Sequence, residues 1–526
     1  LRLNWELIPG DADPGMQEES LKFIAPLLVF AAVPAGAFAQ ALNVPWSGYG
    51  HDPQHTAISA NASQPMNSIH WSAPVDLNPP GGGSLFIHYG SPIVTAANTV
   101  LLPVRMAAGG YEVQALNGSN GSLIYTLPSD YSLPPHDWIP PYSPVLSVRN
   151  RMYYPGAGGT VYYRDRVDSA TGPNGSAGAS GQIAFFGNAL YAANRTAFNN
   201  AVQISTPLVS DRYGDIYFGF IVQGSNPASL TSGIARISLT GVGTWASAPS
   251  TAGGDASIVQ VALNCAPALS NNQSALYFAV SNGGEFGTGY LVSVNSTTLA
   301  PTGHVQLADP RGGLATVSTD SSASPMVGPD GDVYYGVLET PCCSSHNDRG
   351  WMLHFNSTLT QTKIPGSFGW DDTASVVASG LVPSYTGTSS YLILTKYNNY
   401  VGIGTGTGVN QVAVLDPNVS MTDRYSAVAV MNEVLTIDGV TPDPHAGFPN
   451  AVREWCINTA VIDPATKSAI VNSEDGVVYR WDFTTNTFTQ RLTLTSGRGE
   501  AYTPTAIGVD GAMYAINDAT LFAVSN

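Results

Sequence analysis

Charge is what this sequence has least of. Only 11% of its 526 residues are Asp, Glu, Lys or Arg, against about 25% in typical soluble domains. Basic residues are the scarcer half: 20 Lys plus Arg face 37 Asp plus Glu, a formal net charge of −17. This argues against a nucleic-acid binder, which needs a concentrated basic face, and against electrostatic attachment to anionic lipid. Cysteine is nearly absent, at four residues. No Cys-x2-Cys pair occurs and the histidines are scattered, so a zinc site is not indicated. No Cys-x2-Cys-His haem site, nucleophile elbow, P-loop or dinucleotide fingerprint is present. The main apolar run, Phe23 to Val33, is too short to span a membrane.

What fills the space is glycine (55) and proline (37), together with Ser, Thr and Asn. That composition belongs to many tight turns between short strands. An apolar content of 44% is ample for a core.

The turns are periodic. A small residue and a proline open an apolar stretch six times: Ser91-Pro92, Ser143-Pro144, Thr206-Pro207, Ala266-Pro267, Ser324-Pro325 and Thr503-Pro504. Nine or ten residues after each proline comes a second apolar run, usually centred on tyrosine: Leu101, Tyr153, Tyr217, Tyr277, Tyr334 and Tyr514. Weaker copies run from Pro383 to Ile393 and from Ala460 to Ile470. A four-stranded unit recurring at this period predicts an all-β fold, an eight-bladed β-propeller of antiparallel blades. In each blade strand A starts at the proline and strand B carries the tyrosine. Between them lie Asp-Gly pairs such as Asp330-Gly331 and Asp510-Gly511, which favour type I′ hairpins. The last repeat stops after its third strand. The orphan strand Ser68 to Ser72 is therefore expected to complete blade 8 and close the ring. The recurring tyrosines read as packing between blades.

Residues 16–39 read as a secretory signal: Lys22, the apolar run, and Ala37-Phe38-Ala39 as a small-x-small cleavage site. Residues 1–15 read as an upstream extension and 40–526 as one propeller domain. The expected product is secreted or periplasmic, without a membrane span.

The stretch Trp46-Ser47-Gly48-Tyr49-Gly50-His51-Asp52-Pro53-Gln54-His55-Thr56 resembles the opening of pyrroloquinoline-quinone (PQQ)-like propeller proteins. Ala115, Asn117, Gly121 and Tyr125 resemble the docking motif of quinoprotein alcohol dehydrogenases, with Tyr in place of Trp. The resemblance covers most of residues 44–526. It implies eight four-stranded blades, but not activity, because many members of this superfamily are scaffolds or binding proteins. Adjacent cysteines, Cys342-Cys343, are similar in type to the vicinal disulfide of quinoprotein methanol dehydrogenases, at a different place in the chain.

Loops entering strand A and loops joining strands B and C share one face of a propeller, here called the top. Several unusual segments meet there and form an aromatic, acidic mouth suited to a ligand. Candidate ligand-binding residues are Tyr89, Trp370, Asp372, Tyr397, Asn398, Asn399, Trp455, Glu500 and Tyr502. Asp371, Glu454 and Asn398 offer hard oxygen ligands for Ca²⁺, as do Asp372 and Glu500. A quinone enzyme would need a carboxylate base, Glu454 or Asp371, and a cation, Lys396 or Arg453. The alternative is that Glu454 and Glu500 pair with Arg453 and Arg498 in a structural network. Export favours an oxidised Cys342–Cys343 pair, whereas Cys265 and Cys456 enter different blades, too far round the ring to pair. His51, His55 and His70 read as structural residues near the N-terminal closure.

Three functions fit. The first is an exported scaffold that binds a ligand, glycan or protein through its top-face loops. The second is a PQQ- and Ca²⁺-dependent dehydrogenase of alcohols or sugars. The third is a propeller-type polysaccharide hydrolase or lyase.

Overall fold

The structure, a computed structural model, describes residues 43–80, 88–135, 142–171, 178–496, 499 and 501–526. Residues 1–15 and 16–39, read from the sequence as an upstream extension and a secretory signal, lie outside them. Eight antiparallel sheets follow one another along the chain. They form an eight-bladed propeller with the strand order the repeats imply. Blade 1 is typical: Ile93–Val94, Thr99–Arg105, Tyr111–Asn117 and Leu123–Ser129 are its strands A to D. Its two middle strands alternate or run fully buried, while the outer strand is largely exposed. The core therefore lies between blades, as flat faces stacked round a ring.

The ring closes as the sequence implies. Ser68–Pro74 pairs antiparallel with Thr520–Ser525, setting Trp71 opposite Ala523 and Ser72 opposite Phe522. The strand-B tyrosines explain their own recurrence. Tyr153, Tyr217, Tyr277, Tyr334 and Tyr514 are almost wholly buried. Three of them also reach the next blade: Tyr277 donates to Ser357 O at 2.7 Å, Tyr334 and Tyr391 share a hydroxyl contact of 2.6 Å, and Tyr514 reaches Gly118 O at 3.5 Å. A phenol buries a large apolar ring and still satisfies a carbonyl at a turn.

Three expectations need correction. In blade 6 strand A is Ser375–Ala378, so Pro383 lies in the loop after it and does not open it. The Asp-Gly turns are not type I′, because only the glycine has positive φ (Gly331 90°, Gly511 83°). Gly331 N donates to Gly328 O and Gly328 N to Asp332 O, the three-residue hairpin loop with a left-handed glycine. Finally, blade 5 has three regular strands. Its outer edge is made only by the bridges Met352–Gly366 and Phe355–Thr362. The long hairpin of blade 6, Gln411–Thr422 and Ala429–Asp438, covers that edge. Val430 packs with Trp351, Leu353 and Phe355, and Met431 N donates to Pro365 O at 2.8 Å.

The segment that resembles quinoprotein openings has a structural task. Residues 46–64 run past the inner strands as a belt. Backbone hydrogen bonds join Trp46 to Val94, Ser47 to Leu146, Pro53 to Leu269, Gln54 to Val327, Thr56 to Val376, Ala57 and Ser59 to Ile462, and Gln64 to Gly511. Those partners belong to blades 1, 2, 4, 5, 6, 7 and 8. Blade 3 is met by packing, through Tyr49, Val209 and Ala266. The inner strands would otherwise leave these donors and acceptors unpaired. The belt leaves no room at Gly511, where a Cβ would meet Ala62 O at 2.4 Å.

His51 and His55 lie on this belt, and His70 is exposed on the closing strand. His55 is fully buried, with Nδ1 2.7 Å from Pro325 O. Burial pulls its pKa down to about 4, against the opposing effects of Pro325 O and Asp52. A histidine held neutral in the fold but free to protonate when unfolded stabilises fully above its unfolded value. That contribution falls as pH drops from about 6.5 towards 4. The urea midpoint should therefore decline over this window, and His55→Gln should flatten the decline. An unchanged slope in the variant would show that other groups govern acid sensitivity.

Candidate functional site

On the top face the loops entering strands A of blades 5, 6 and 7 converge near the ring axis. Asp371 sits at the entry to blade 6 with a left-handed backbone (φ 50°), a conformation that Asp tolerates and most residues do not. Its carboxylate accepts from Ser322 N and Ser322 Oγ at 2.5 Å each, and lies 2.9 Å from His88 Nε2 and 4.0 Å from Lys396 Nζ. All of these groups are buried. Lys396, at the end of strand B of blade 6, points its ammonium over the Tyr502 ring at 4.7 Å. The same ring lies 4.5 Å from that of His88. From the belt side Tyr49 OH reaches Thr373 Oγ1 at 3.0 Å and also bonds Asn458, which donates to Ser322 Oγ at 2.7 Å.

Adjacent carboxyls diverge here. Burial would raise Asp371, but His88, Lys396 and the Ser322 hydrogen bond outweigh it and hold the carboxyl below its ordinary range. Burial pushes Asp372 well above that range; Lys396 opposes this and the Asp371 charge adds to it. The two neighbouring carboxyls are thus shifted in opposite directions.

Around this knot lies a second layer. Arg349 is fully buried, with its guanidinium over Tyr397 at 4.3 Å, Tyr425 at 4.6 Å and Phe368 at 5.4 Å. It donates to Ser367 O at 3.0 Å and to Asn398 O. The Asn398 amide spends both ends on the Trp455 backbone, accepting from N at 3.0 Å and donating to O at 3.2 Å. Asn399 accepts from Asn347 and donates to Thr407. Tyr89 donates to Asp76 at 3.2 Å. Tyr397, Asn398, Asn399 and Trp455 are all buried, whereas Trp370 and Tyr502 keep part of their surface in solvent. Glu500 and Arg498 lie outside the described residues.

Among the described residues, two groups of side chains could hold a metal ion. In blade 7 one ligand atom each of Glu454, Cys456 and Glu474 lies within 4.8 Å of the others. Glu474 Oε1 also accepts from Glu454 N at 3.2 Å and lies 3.9 Å from Arg453, and Arg453 is shared with Asp443 at 3.3 Å. In blade 5 the vicinal disulfide Cys342–Cys343 forms, and Asp348 completes the second group. Cys265 and Cys456 are separate buried thiols.

Asp371, Glu454 and Asn398, the calcium set read from the sequence, have separate partners: His88 with Ser322 and Lys396, the Glu474–Cys456 group, and the Trp455 backbone. Sequence reasoning passed over Ser322, Asn458 and Glu474. Glu474 sits in Ser473-Glu474-Asp475-Gly476, where the Asp-Gly pair disguises a buried acid as a surface turn.

The axial space between Tyr49, His88, Asn458 and Tyr502 has room for about one water molecule. A tricyclic quinone does not fit there with the side chains as they stand.

Among solved structures, the chain is similar to a europium-containing methanol dehydrogenase (11% identity, 90% of this chain and 89% of that one, TM-score 0.54). It also matches BamB from Moraxella catarrhalis (12%, 87% and 99%, TM-score 0.41) and the quinohemoprotein alcohol dehydrogenase of Comamonas testosteroni (10%, 91% and 71%, TM-score 0.39). No protein-family model and no curated protein sequence matches. The protein is thus an eight-bladed β-propeller whose fold is similar to that of the methanol dehydrogenase. At this identity the likeness concerns the fold, and function has to be argued from the site.

Proposed function

We propose that this chain is an exported binding scaffold whose top-face loops take a ligand at the mouth around Trp370 and Tyr502, without chemistry on it. One observation carries the reading. The groups that a dehydrogenase would use are committed to each other: Asp371 to His88, Ser322 and Lys396, and Asn398 to the Trp455 backbone. The mouth therefore offers a rigid, preformed rim. Half-exposed aromatic rings on a rigid frame are good contact surfaces for sugars and for protein side chains. No helix among the described residues is long and apolar enough to cross a membrane.

The test is equilibrium binding of the purified full chain to cell-wall glycan fragments and to extracellular proteins of the same source. Trp370→Ala should weaken binding by about tenfold, or ~1.4 kcal/mol, while leaving the denaturant midpoint nearly unchanged.

The second reading, a PQQ- and Ca²⁺-dependent dehydrogenase, draws on the split carboxyl pair Asp371/Asp372, since opposed pKa values on neighbours often mark acid and base roles. Adding PQQ and Ca²⁺ and following dye reduction with an alcohol panel separates the two. Dye reduction by the unsubstituted chain that requires both PQQ and Ca²⁺ would establish the enzyme and defeat the scaffold.

A further inference from the structure

The loop joining strands B and C of blade 5 is built like a preformed ligand cradle. Glu339 is fully buried and accepts three backbone N–H groups: His346 at 3.1 Å, Asp348 at 2.8 Å and Gly350 at 2.8 Å. His346 stacks on Trp351 with centroids 3.8 Å apart, and its Nε2 lies 3.2 Å from Asp423. Arg311, held to Asp309 at 2.6 Å, donates to Thr340 O at 2.9 Å and to Ser345 O at 2.5 Å. Asn347 bonds Asn399 and Thr405. None of these ties runs through the disulfide. Breaking the S–S bond would leave the loop backbone held by these ties, while the two sulfurs part to the separation that one shared cation needs.

Three ligand atoms then face one another. A sulfur of Cys342, a sulfur of Cys343 and a carboxylate oxygen of Asp348 lie within 4.8 Å. Asp348 Oδ1 is buried and accepts no hydrogen bond. Asp320 and Glu339 lie close enough to act on Asp348 and add negative charge. Both cysteines are half-buried, open to a small reductant. Two soft thiolates and one carboxylate, with a fourth position open to solvent, suit a thiophilic divalent cation of the zinc and cadmium kind.

We propose that Cys342, Cys343 and Asp348 form a redox-gated metal site, closed while the disulfide stands and open to such a cation once it is reduced. The steps balance. A phosphine or dithiol reductant supplies two electrons and the disulfide becomes two thiols. Metal binding then expels both thiol protons and any proton carried by the Asp348 carboxyl, leaving two metal–sulfur bonds and the Asp348 carboxylate as third ligand. Its three ligands are distinct from Asp371, His88, Ser322 and Lys396, so cation binding here is read separately from the axial knot.

The experiment uses the full chain in a Cys456→Ala background, so that the thiol of the blade 7 group contributes nothing. Protein treated with a phosphine and untreated protein are titrated with Cd²⁺ while the ultraviolet sulfur-to-metal charge-transfer band and proton release are followed. Reduced protein should take up one Cd²⁺ with that band, at an affinity about 100-fold or more above the oxidised form. It should release between about two and three protons per metal near neutral pH, two from the thiols and the rest from the Asp348 carboxyl. Asp348→Asn should keep the band and weaken binding about tenfold or more. The oxidised–reduced comparison needs no variant at the site, so misfolding cannot mimic the result. Equal Cd²⁺ binding in both redox states, or a band that survives in Cys342→Ser, would overturn the proposal.

Discussion

Trp71→Ala should cost about 3–5 kcal/mol of stability, the range for deleting a buried tryptophan. The residue sits on the strand that closes the ring, opposite Ala523. Its ring packs 5.8 Å from Tyr514, and its Nε1 donates to Gly118 O at 2.8 Å, across the seam into blade 1. The same indole lies over Gly121, where φ is 71° and a Cβ would come within 2.7 Å of the ring. Truncation therefore opens a cavity at the join between the first and last blades and strips Gly118 O of its nearer donor, leaving only the longer Tyr514 contact. Against a usual total of about 5–15 kcal/mol, that is a large share. The control is Trp245→Ala, a half-buried tryptophan on the outer strand of blade 3. Hydrogen exchange should quicken first in Ser68–Pro74 and Thr520–Ser525 and leave blade 3 protected. Uniform loss of protection round the ring would mean that the seam is no weaker than any other blade interface, and that the belt alone holds the circle.

What could be read from the sequence follows from which forces are local. Strand A, the turn and the strand-B tyrosine lie within about a dozen residues, so Ser324-Pro325 to Tyr334 and Thr503-Pro504 to Tyr514 keep a fixed spacing and disclose the blade. Blade 6 escapes the ruler because its loop after Ser375–Ala378 is long and carries Pro383, a proline with no strand to open. The irregular edge of blade 5 was invisible for the opposite reason. It is repaired by Val430 and Met431, residues far along the chain that belong to another blade. The belt presents the same difficulty: residues 46–64 can be matched to a family by pattern, but their bonds to seven inner strands are set by the finished ring. At the mouth, Asp371, Asp372 and Lys396 stood out because charge is rare in this chain. Ser322 and Asn458, which fix the geometry of Asp371 and Tyr49, are of types too common here to draw notice. Tyr397 and Trp455 look alike in the sequence, yet Tyr397 lies under the buried Arg349 while Trp455 packs with Tyr479 and Phe488.

The largest electrostatic effect should come from the axial knot. Asp371→Asn should destabilise the chain by about 3–5 kcal/mol at neutral pH, because it leaves Lys396, and His88 when protonated, as buried cations without their counter-charge. The sign of the pH dependence follows from the lowered carboxyl. A group whose folded pKa lies below its unfolded value stabilises fully above the unfolded pKa, near 3.9, and loses that contribution as pH falls through the folded one. The gap between wild type and Asp371→Asn should therefore be full at pH 7 and narrow below pH ~4. Asp372 runs the other way. Its raised pKa stabilises below the unfolded value, and the contribution is lost as pH rises through the folded one. Asp372→Asn should thus be nearly neutral in acid and progressively favourable as pH rises. A double-mutant cycle with Lys396→Met tests whether the knot is one unit. Removing both charges from an apolar niche lined by Phe368 and Tyr502 should recover much of what Asp371→Asn alone loses. If the two losses simply add, Lys396 is satisfied elsewhere, and its 4.0 Å approach to Asp371 reflects proximity without coupling.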